Sequence, residues 1–448
     1  MYDRIPSPGK ENRVSITQDN GQVITGVLAY ADDATQEGSA YTKGNVLPDD
    51  VCNLLGIDPD TSEPKDAWIG VITALGYSPV RIKVTTAAGN PMAGVSVSGL
   101  TGVLPEYAVT DQNGIVFVIL NEGDYTLSVP SVNCLDATIS PVSVEVRANG
   151  HVQNVEIKQV SNGVTSKTFS SSGQFMLSDN VLSADVWALG GGGGGGSGGQ
   201  AVLSGYNLCS GGGGGGGGGR TSQRSGITPT PFFQYSVTVG SGGSAGPAPT
   251  STRTTNGFSG SYGGSSSCTL GNVTASGGAG GSGGSAPGIT SGCDGGSGGS
   301  GGGAGGQMYE DRWPPQASAG GNGGSSGSSG ADTGGDVQGS GGSGQGSATG
   351  PFGTSDDRYG AGGGGGGGYE NGSNPGGSGG ASTAGAGGSW TGVASAGTSA
   401  QAGFGCGGGG GSGGWYRTDG SIDYTKYRPK AGGSGSSGRV MVRWVNAS

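Results

Sequence analysis

Leu182-Ser183-Ala184-Asp185-Val186-Trp187-Ala188-Leu189 runs straight into an unbroken glycine tract, Gly190 to Gly196, and the reading of that junction decides the fold of more than half the chain. A strand pattern has no role at the mouth of a flexible glycine-serine linker, where nothing orders the backbone. The far end mirrors it: Gly432-Gly433 and Gly438 lead into Arg439-Val440-Met441-Val442-Arg443-Trp444-Val445. The two segments are expected to pair and clamp the ends of what lies between them. A third strand-like run, Phe232 to Val239, interrupts the glycine.

Between these brackets the tracts Gly190 to Gly196, Gly211 to Gly219, Gly301 to Gly303, Gly362 to Gly368 and Gly407 to Gly411 alternate with connections that carry aromatics and charges. Collagen needs glycine at every third position and abundant proline, and neither is present. What remains is a bundle of polyglycine II helices, extended and left-handed, with about three residues per turn and no internal hydrogen bonds. Lacking Cβ atoms, such chains approach closely enough to exchange N–H to C=O bonds sideways. Ordering a residue costs ~1–2 kcal/mol and a lateral hydrogen bond returns ~0.5–1.5 kcal/mol. The bundle must therefore form from many tracts at once.

The chain has 448 residues, of which 110 are glycine and only 12% are charged. An ordinary apolar core cannot run through all of it. A net charge of -10 repels phosphate backbones and anionic lipid, so no nucleic-acid partner is expected. No apolar stretch approaches the ~20 residues that cross a bilayer, and the N-terminus lacks the basic start and apolar run of a signal peptide. Neither membrane insertion nor conventional secretion is expected.

The single histidine, His151, sits in what reads as a turn, and no Gly-x-Ser-x-Gly elbow stands between a strand and a helix. No enzyme is expected. The six cysteines, Cys52, Cys134, Cys209, Cys268, Cys293 and Cys406, show no Cys-x-x-Cys pair. They are either buried thiols or disulfide staples. Asp32-Asp33, Asp49-Asp50 and Asp356-Asp357 lack the ligand spacing of a calcium loop. No metal or cofactor is expected.

Three domains follow, mainly β plus polyglycine II. Residues 1–76 form a small α+β module: Val14 and Ile16 alternate before a turn at Asp19-Asn20-Gly21, Val23 to Ala31 reads as the second strand, and Val46 to Leu55 has helical spacing closed by Gly56. A unit so small is expected to associate, most simply as a homotrimer. Residues 77–161 read as a β-sandwich of short strands: Ile82 and Val84, Val95 and Val97, Ile115 to Leu120, Gly123 to Val129, and a last pair containing Val142 to Val146 and Val152 to Ile157. Residues 162–448 form the glycine-rich domain.

Arg4 to Lys10, Arg13 to Thr17, Ala34 to Ser39 and Leu47 to Ile57 resemble the N-terminal modules of phage and prophage tail-fibre proteins. Gly89, Pro91, Gly94-Val95, Val97, Thr110-Asp111, Gly114 and Gly123-x-Tyr125 resemble a carboxypeptidase-regulatory-like or transthyretin-like sandwich, which implies a spacer. Val186 to Gly190, Tyr235 to Gly240 with Gly242-Gly243, and Gly432-Gly433 through Gly438-Arg439-Val440 are similar to the glycine-rich domain at the ends of phage tail fibres, including the adhesins of T-even-like phages. Unlike those short adhesins, this chain carries N-terminal modules of its own.

The resemblance implies a structural virion protein, assembled in the host cytoplasm. It would attach to a baseplate or tail protein and bind a host-cell surface receptor, either a polysaccharide or an outer surface protein. The alternative is a non-viral bacterial surface adhesin or extracellular matrix protein. Polyglycine presents no side chains, so recognition falls to the connections. The candidates are Tyr309, Arg312, Trp313, Tyr359, Tyr369, Trp390, Trp415, Tyr416, Tyr424 and Tyr427. Some of these aromatics would instead cap the bundle as a small apolar cluster.

Overall fold

Gly21, at φ 78°, lies in the turn between β1 (Arg13–Thr17) and β2 (Val23–Val27), which pair antiparallel with Ile16 opposite Ile24. The expected hairpin is present. The computed structural model describes residues 13–17, 21–27, 49–55, 58–60, 64–100, 108–129, 133–147, 151–203, 210–251, 253–286, 295–298, 301–306, 350–354, 358–368, 374–417 and 427–447. The tail-fibre-like stretches Arg4 to Lys10 and Ala34 to Ser39 lie outside them. Helix α1 (Asp49–Leu55) has Asp49 and Asp50 in its first turn, where the helix N-terminus favours negative charge. A second helix, α2 (Pro64–Ala74), was not anticipated. Pro64 fits a first turn that needs no N–H, and Gly76 (φ 81°) closes the last turn by donating to the Thr73 carbonyl at 2.9 Å.

Met1–Pro79, Ile119–Gly123 and Val146–Gln153 make one compact unit, and Val80–Val118, Asp124–Glu145 and Asn154–Ser448 make another. The second unit holds most of the expected sandwich together with all of 162–448. Strands β3 (Tyr77–Thr85), β4 (Ile115–Asn121), β5 (Gly123–Leu127), β6 (Ala137–Ile139), β7 (Val142–Val146) and β8 (Gln153–Ser161) form a four-stranded sheet in the order β4-β3-β8-β6 and a two-stranded sheet β5-β7. Alternation explains β3, in which Val80, Ile82 and Val84 are fully buried and Arg81 and Lys83 are not.

Two expectations change here. Val95 and Val97 are buried but belong to isolated bridged segments, Ser96 to Val109 and Ser98 to Ser128, because the left-handed Gly94 and Gly99 bound the stretch. The last two strands do not pair with each other: β7 joins β5, and β8 lies between β3 and β6.

The glycine-rich part begins with β9 (Ser166–Phe169), β10 (Gly173–Phe175) and β11 (Val181–Leu189), followed by β12 (Gln200–Leu203), β13 (Thr221–Ile227), β14 (Tyr235–Thr238), β15 (Ser266–Cys268), β16 (Val273–Ala275), β17 (Gly414–Arg417) and β18 (Arg439–Asn446). Two antiparallel sheets, β13-β11-β18-β9 and β10-β14-β15-β16, sit at one end. The expected clamp is present: β11 and β18 pair with Ala184 opposite Trp444 and Leu189 opposite Arg439. The run at Phe232 becomes a strand only from Tyr235, because Phe232 takes a left-handed φ of 56°. Val186, Ala188, Val440, Val442 and Trp444 pack on Phe175, Tyr235, Val237 and Val273. On the other face of β11, Trp187 and Leu189 pack on Tyr359, with Phe352 and Phe404 beside them.

From Leu189 the chain enters the tracts, which are buried throughout. Along the first tract, successive N–H groups donate to three different neighbours in rotation, at 2.8–3.0 Å. Gly193, Gly196 and Gly199 donate to Gly217, Gly214 and Gly211; Gly191, Gly194 and Ser197 donate to Gly264, Ser261 and Phe258; Gly192, Gly195 and Gly198 donate to Ser436, Gly433 and Lys430. Those neighbours run antiparallel. The carbonyls accept from three others that run parallel, through Gly278 and Gly281, Gly243 and Gly246, and Gly408 and Gly411. The tract thus has six neighbours and a three-residue repeat.

The tracts beginning at Gly211, Gly362 and Gly407 also bond to one another, through Gly213 to Gly411, Gly366 to Gly213 and Gly410 to Gly364. Outer chains follow a different rule. In 241–250, every third residue is exposed, beginning with Ser241, Ser244 and Pro247, whereas Gly243 and Gly246 are buried.

The four described cysteines, Cys52, Cys134, Cys268 and Cys406, are buried thiols that form no disulfide. Burial, reinforced by the nearby Asp136 charge, pushes the Cys134 thiol up to about 12, and burial pushes Cys268 up to about 11. Cys209 and Cys293 lie outside the described residues.

Candidate functional site

The direction of each tract fixes what gathers at its ends. At the end remote from β11 and β18, Gly199 donates to Gly211, Gly413 to Gly367 and Gly198 to Lys430. There β12 and β17 pair in parallel, with Ala201 opposite Trp415 and Val202 opposite Tyr416. Buried serine hydroxyls take over where neighbouring chains part: Ser210 Oγ donates to the Gly414 carbonyl and accepts from its N–H, both at 2.8 Å.

Of the candidate residues, Trp390, Trp415 and Tyr427 meet at this remote end. Trp415 stacks on Tyr427 with ring centroids 4.9 Å apart and planes 19° apart, and Trp390 lies 6.1 Å from Tyr427. Trp415 and Tyr427 are half-buried, while Trp390 is 4% exposed and exchanges backbone bonds with Asn374 at 2.7 and 2.8 Å. Trp390 therefore supports the row more than it offers a face. Tyr416 follows Trp415 in β17, with its backbone opposite Val202.

Tyr359 belongs at the opposite end. It is 8% exposed, meets Trp187 edge-on at 5.5 Å, and accepts a hydrogen bond from Arg439 Nη1 at 3.3 Å. Its surroundings match the capping cluster and not an exposed contact. Tyr309, Arg312, Trp313, Tyr369 and Tyr424 lie outside the described residues.

Sequence reasoning missed Gln200. Its side chain is fully buried, and Nε2 donates to the carbonyls of Ser251 at 2.6 Å and Arg253 at 3.0 Å. Its backbone exchanges two bonds with Thr255, and Asn256 Oδ1 accepts from Ala286 N–H at 2.8 Å. One signal was available: Gln200 is the first large side chain after Gly190. Among the described residues, no group of three or more His, Cys, Asp or Glu could hold a metal ion.

No protein-family model matches the chain, and no curated protein matches it. Among solved structures it is similar to a streptococcal ancillary pilin, at 13% identity over 26% of this chain and 41% of the pilin, with a TM-score of 0.17. The chain thus spans less than half the pilin's length, and the likeness bears on neither fold nor function.

Proposed function

We propose that the chain is a structural virion protein, a tail fibre or tail-fibre adhesin, whose glycine-rich part is a polyglycine II bundle that presents a receptor-binding tip. One observation carries this reading. Trp390, Trp415 and Tyr427 meet at the end farthest from the clamping strands, while the outer chains between the ends expose serines together with Phe258 and Tyr262. Aromatic side chains of this kind dominate recognition surfaces, and rigid elements position them well. In this reading residues 1–76 attach to a baseplate or tail protein and associate as a homotrimer, and the transthyretin-like sandwich is a spacer. The partner is a host-cell surface receptor.

The test is binding of the fluorescently labelled full-length chain to a panel of bacterial strains, with immunogold labelling of phage particles and of uninfected cells. Binding restricted to particular strains, together with gold on particle tails, is the expected result. Trp415→Ala should reduce cell binding at least ~10-fold while lowering Tm by no more than about 4 °C, since the ring is only half-buried. Gold on the envelope of cells that make no particles would replace this reading with that of a bacterial surface adhesin. Loss of Tm without loss of binding would make Trp415 a packing residue.

A further inference from the structure

The turn between the outer chains that end at Gly246 and begin at Gly257 is held in an unusual way. Gln200 is withdrawn completely from water, and both of its amide hydrogens go to backbone carbonyls of this turn, Ser251 and Arg253, while Oε1 has no partner. A buried amide with an unpaired oxygen is destabilising, and ordinary loop closure does not require it. Further ties point the same way. Arg253 N–H donates to Ser251 Oγ at 3.0 Å, and Thr255 exchanges two backbone bonds with Gln200.

What the clamp holds is a single cation. The Arg253 backbone is fixed at both its N–H and its carbonyl, and the residue is exposed. No other Asp, Glu, Lys or Arg occurs between Arg224 and Asp294. Gln200 is adjacent in β12 to Ala201, which faces Trp415 across the parallel pair, so the turn belongs to the same end as the aromatic row. A guanidinium presents planar paired donors that match a carboxylate or phosphate, and prior ordering of the backbone removes part of the entropy lost on binding.

We infer that Arg253 is a specificity-determining contact for an anionic group of a surface polysaccharide, and that Gln200 is its positioning residue. This rests on the reading of the remote end as the receptor-binding tip. Arg253 supplies charge and orientation, and the neighbouring aromatics supply contact area.

The test uses the full-length chain on the strain panel above, at several salt concentrations, with Arg253→Gln, Arg253→Lys and Gln200→Met beside the native chain. Arg253→Gln should weaken binding about 10-fold at low salt and flatten its salt dependence, because the screened interaction is gone. Arg253→Lys should keep the salt dependence and recover part of the affinity. Gln200→Met should weaken binding with the same loss of salt dependence, which a merely structural role would not produce. Dextran sulfate should compete where dextran does not, and mild periodate treatment of the cells should abolish binding. Native-like affinity and salt dependence in Arg253→Gln overturns the inference but leaves the tip reading intact. Binding that survives periodate but not protease identifies a protein receptor and also overturns it. Failure of the native chain to bind any strain defeats both.

Discussion

An alanine methyl at Gly216 would have to occupy the space already filled by the Gly193 carbonyl, and at Gly192 the space of the Cys406 carbonyl. Neither neighbour is the free end of a flexible side chain; both are backbone fixed by bonds of their own. Gly216→Ala is therefore expected to lower stability by at least ~3 kcal/mol, at the severe end of overpacking, whereas Ser244→Ala on an exposed position should stay within ~0.5 kcal/mol. Chemical denaturation of the two variants checks the contrast. This difference was partly legible in the sequence, since unbroken glycine marks chains surrounded on all sides and a serine at every third position marks chains facing water. The fates of Tyr359 and Trp390 were not legible. A lone aromatic among glycines has no periodic neighbours to say which way it faces, and the Gln200 clamp spans a loop that only the packing of the chains closes.

Strands β11 and β18 were legible because an apolar run at each end of the glycine needs a partner, and each is the other's. Burial on both faces explains why Val186 to Leu189 shows no alternation. The α2 helix escaped notice because its start signal, Pro64, also reads as a loop. Across the clamp, Arg443 Nε donates to Asp185 Oδ2 at 2.7 Å and Gly226 N–H donates to Oδ1 at 2.8 Å. Partial burial opposes ionisation of Asp185, but these hydrogen bonds and the Arg443 charge outweigh it and hold the carboxyl below the usual carboxylate range. A depressed carboxyl stabilises the fold above its unfolded pKa, about 3.9, and that contribution fades as pH falls through the lower folded value. Arg443 is half-exposed, so screening limits the pair to under ~1 kcal/mol. Asp185→Asn should melt slightly below the native chain at pH 7, and the gap should close as pH falls below the unfolded carboxyl value and through the lower folded one. A gap that persists unchanged in acid would assign the difference to something other than charge.

Within the larger unit, the sheets formed by β3 to β8 and the glycine-rich part are joined by more than a short linker. Asp136 is fully buried and accepts from Ser178 N–H at 2.9 Å and from the Ser178 hydroxyl, while Leu135 N–H donates to the Met176 carbonyl at 2.9 Å. Asp179 Oδ2 accepts from Thr86 Oγ1 at 2.7 Å and from Asn90 Nδ2 at 2.8 Å. The composition changes near residue 161, but no division between compact units falls there, and these cross-links were not legible because their partners are some forty or ninety positions apart in sequence. Removing the buried carboxylate leaves its donors unpaired, so Asp136→Ala should cost about 2–4 kcal/mol locally. In small-angle scattering it should broaden the distribution of molecular dimensions, and limited proteolysis should open a new cut between residues 161 and 166. An unchanged scattering profile and no new cut would show that the other ties suffice.

Every lateral bond between the tracts lies across the chains, and in the proposed polyglycine II form each chain advances by about 3.1 Å per residue, close to the ~3.3–3.6 Å limit of a fully extended backbone. A pull applied at the tip thus finds almost no slack to draw out. It loads covalent backbone along the axis and all the crosswise bonds together in shear, and it arrives undiminished at β11 and β18, the strands through which the bundle begins and ends. The glycine tracts, soft in composition, would behave under tension as an inextensible cable.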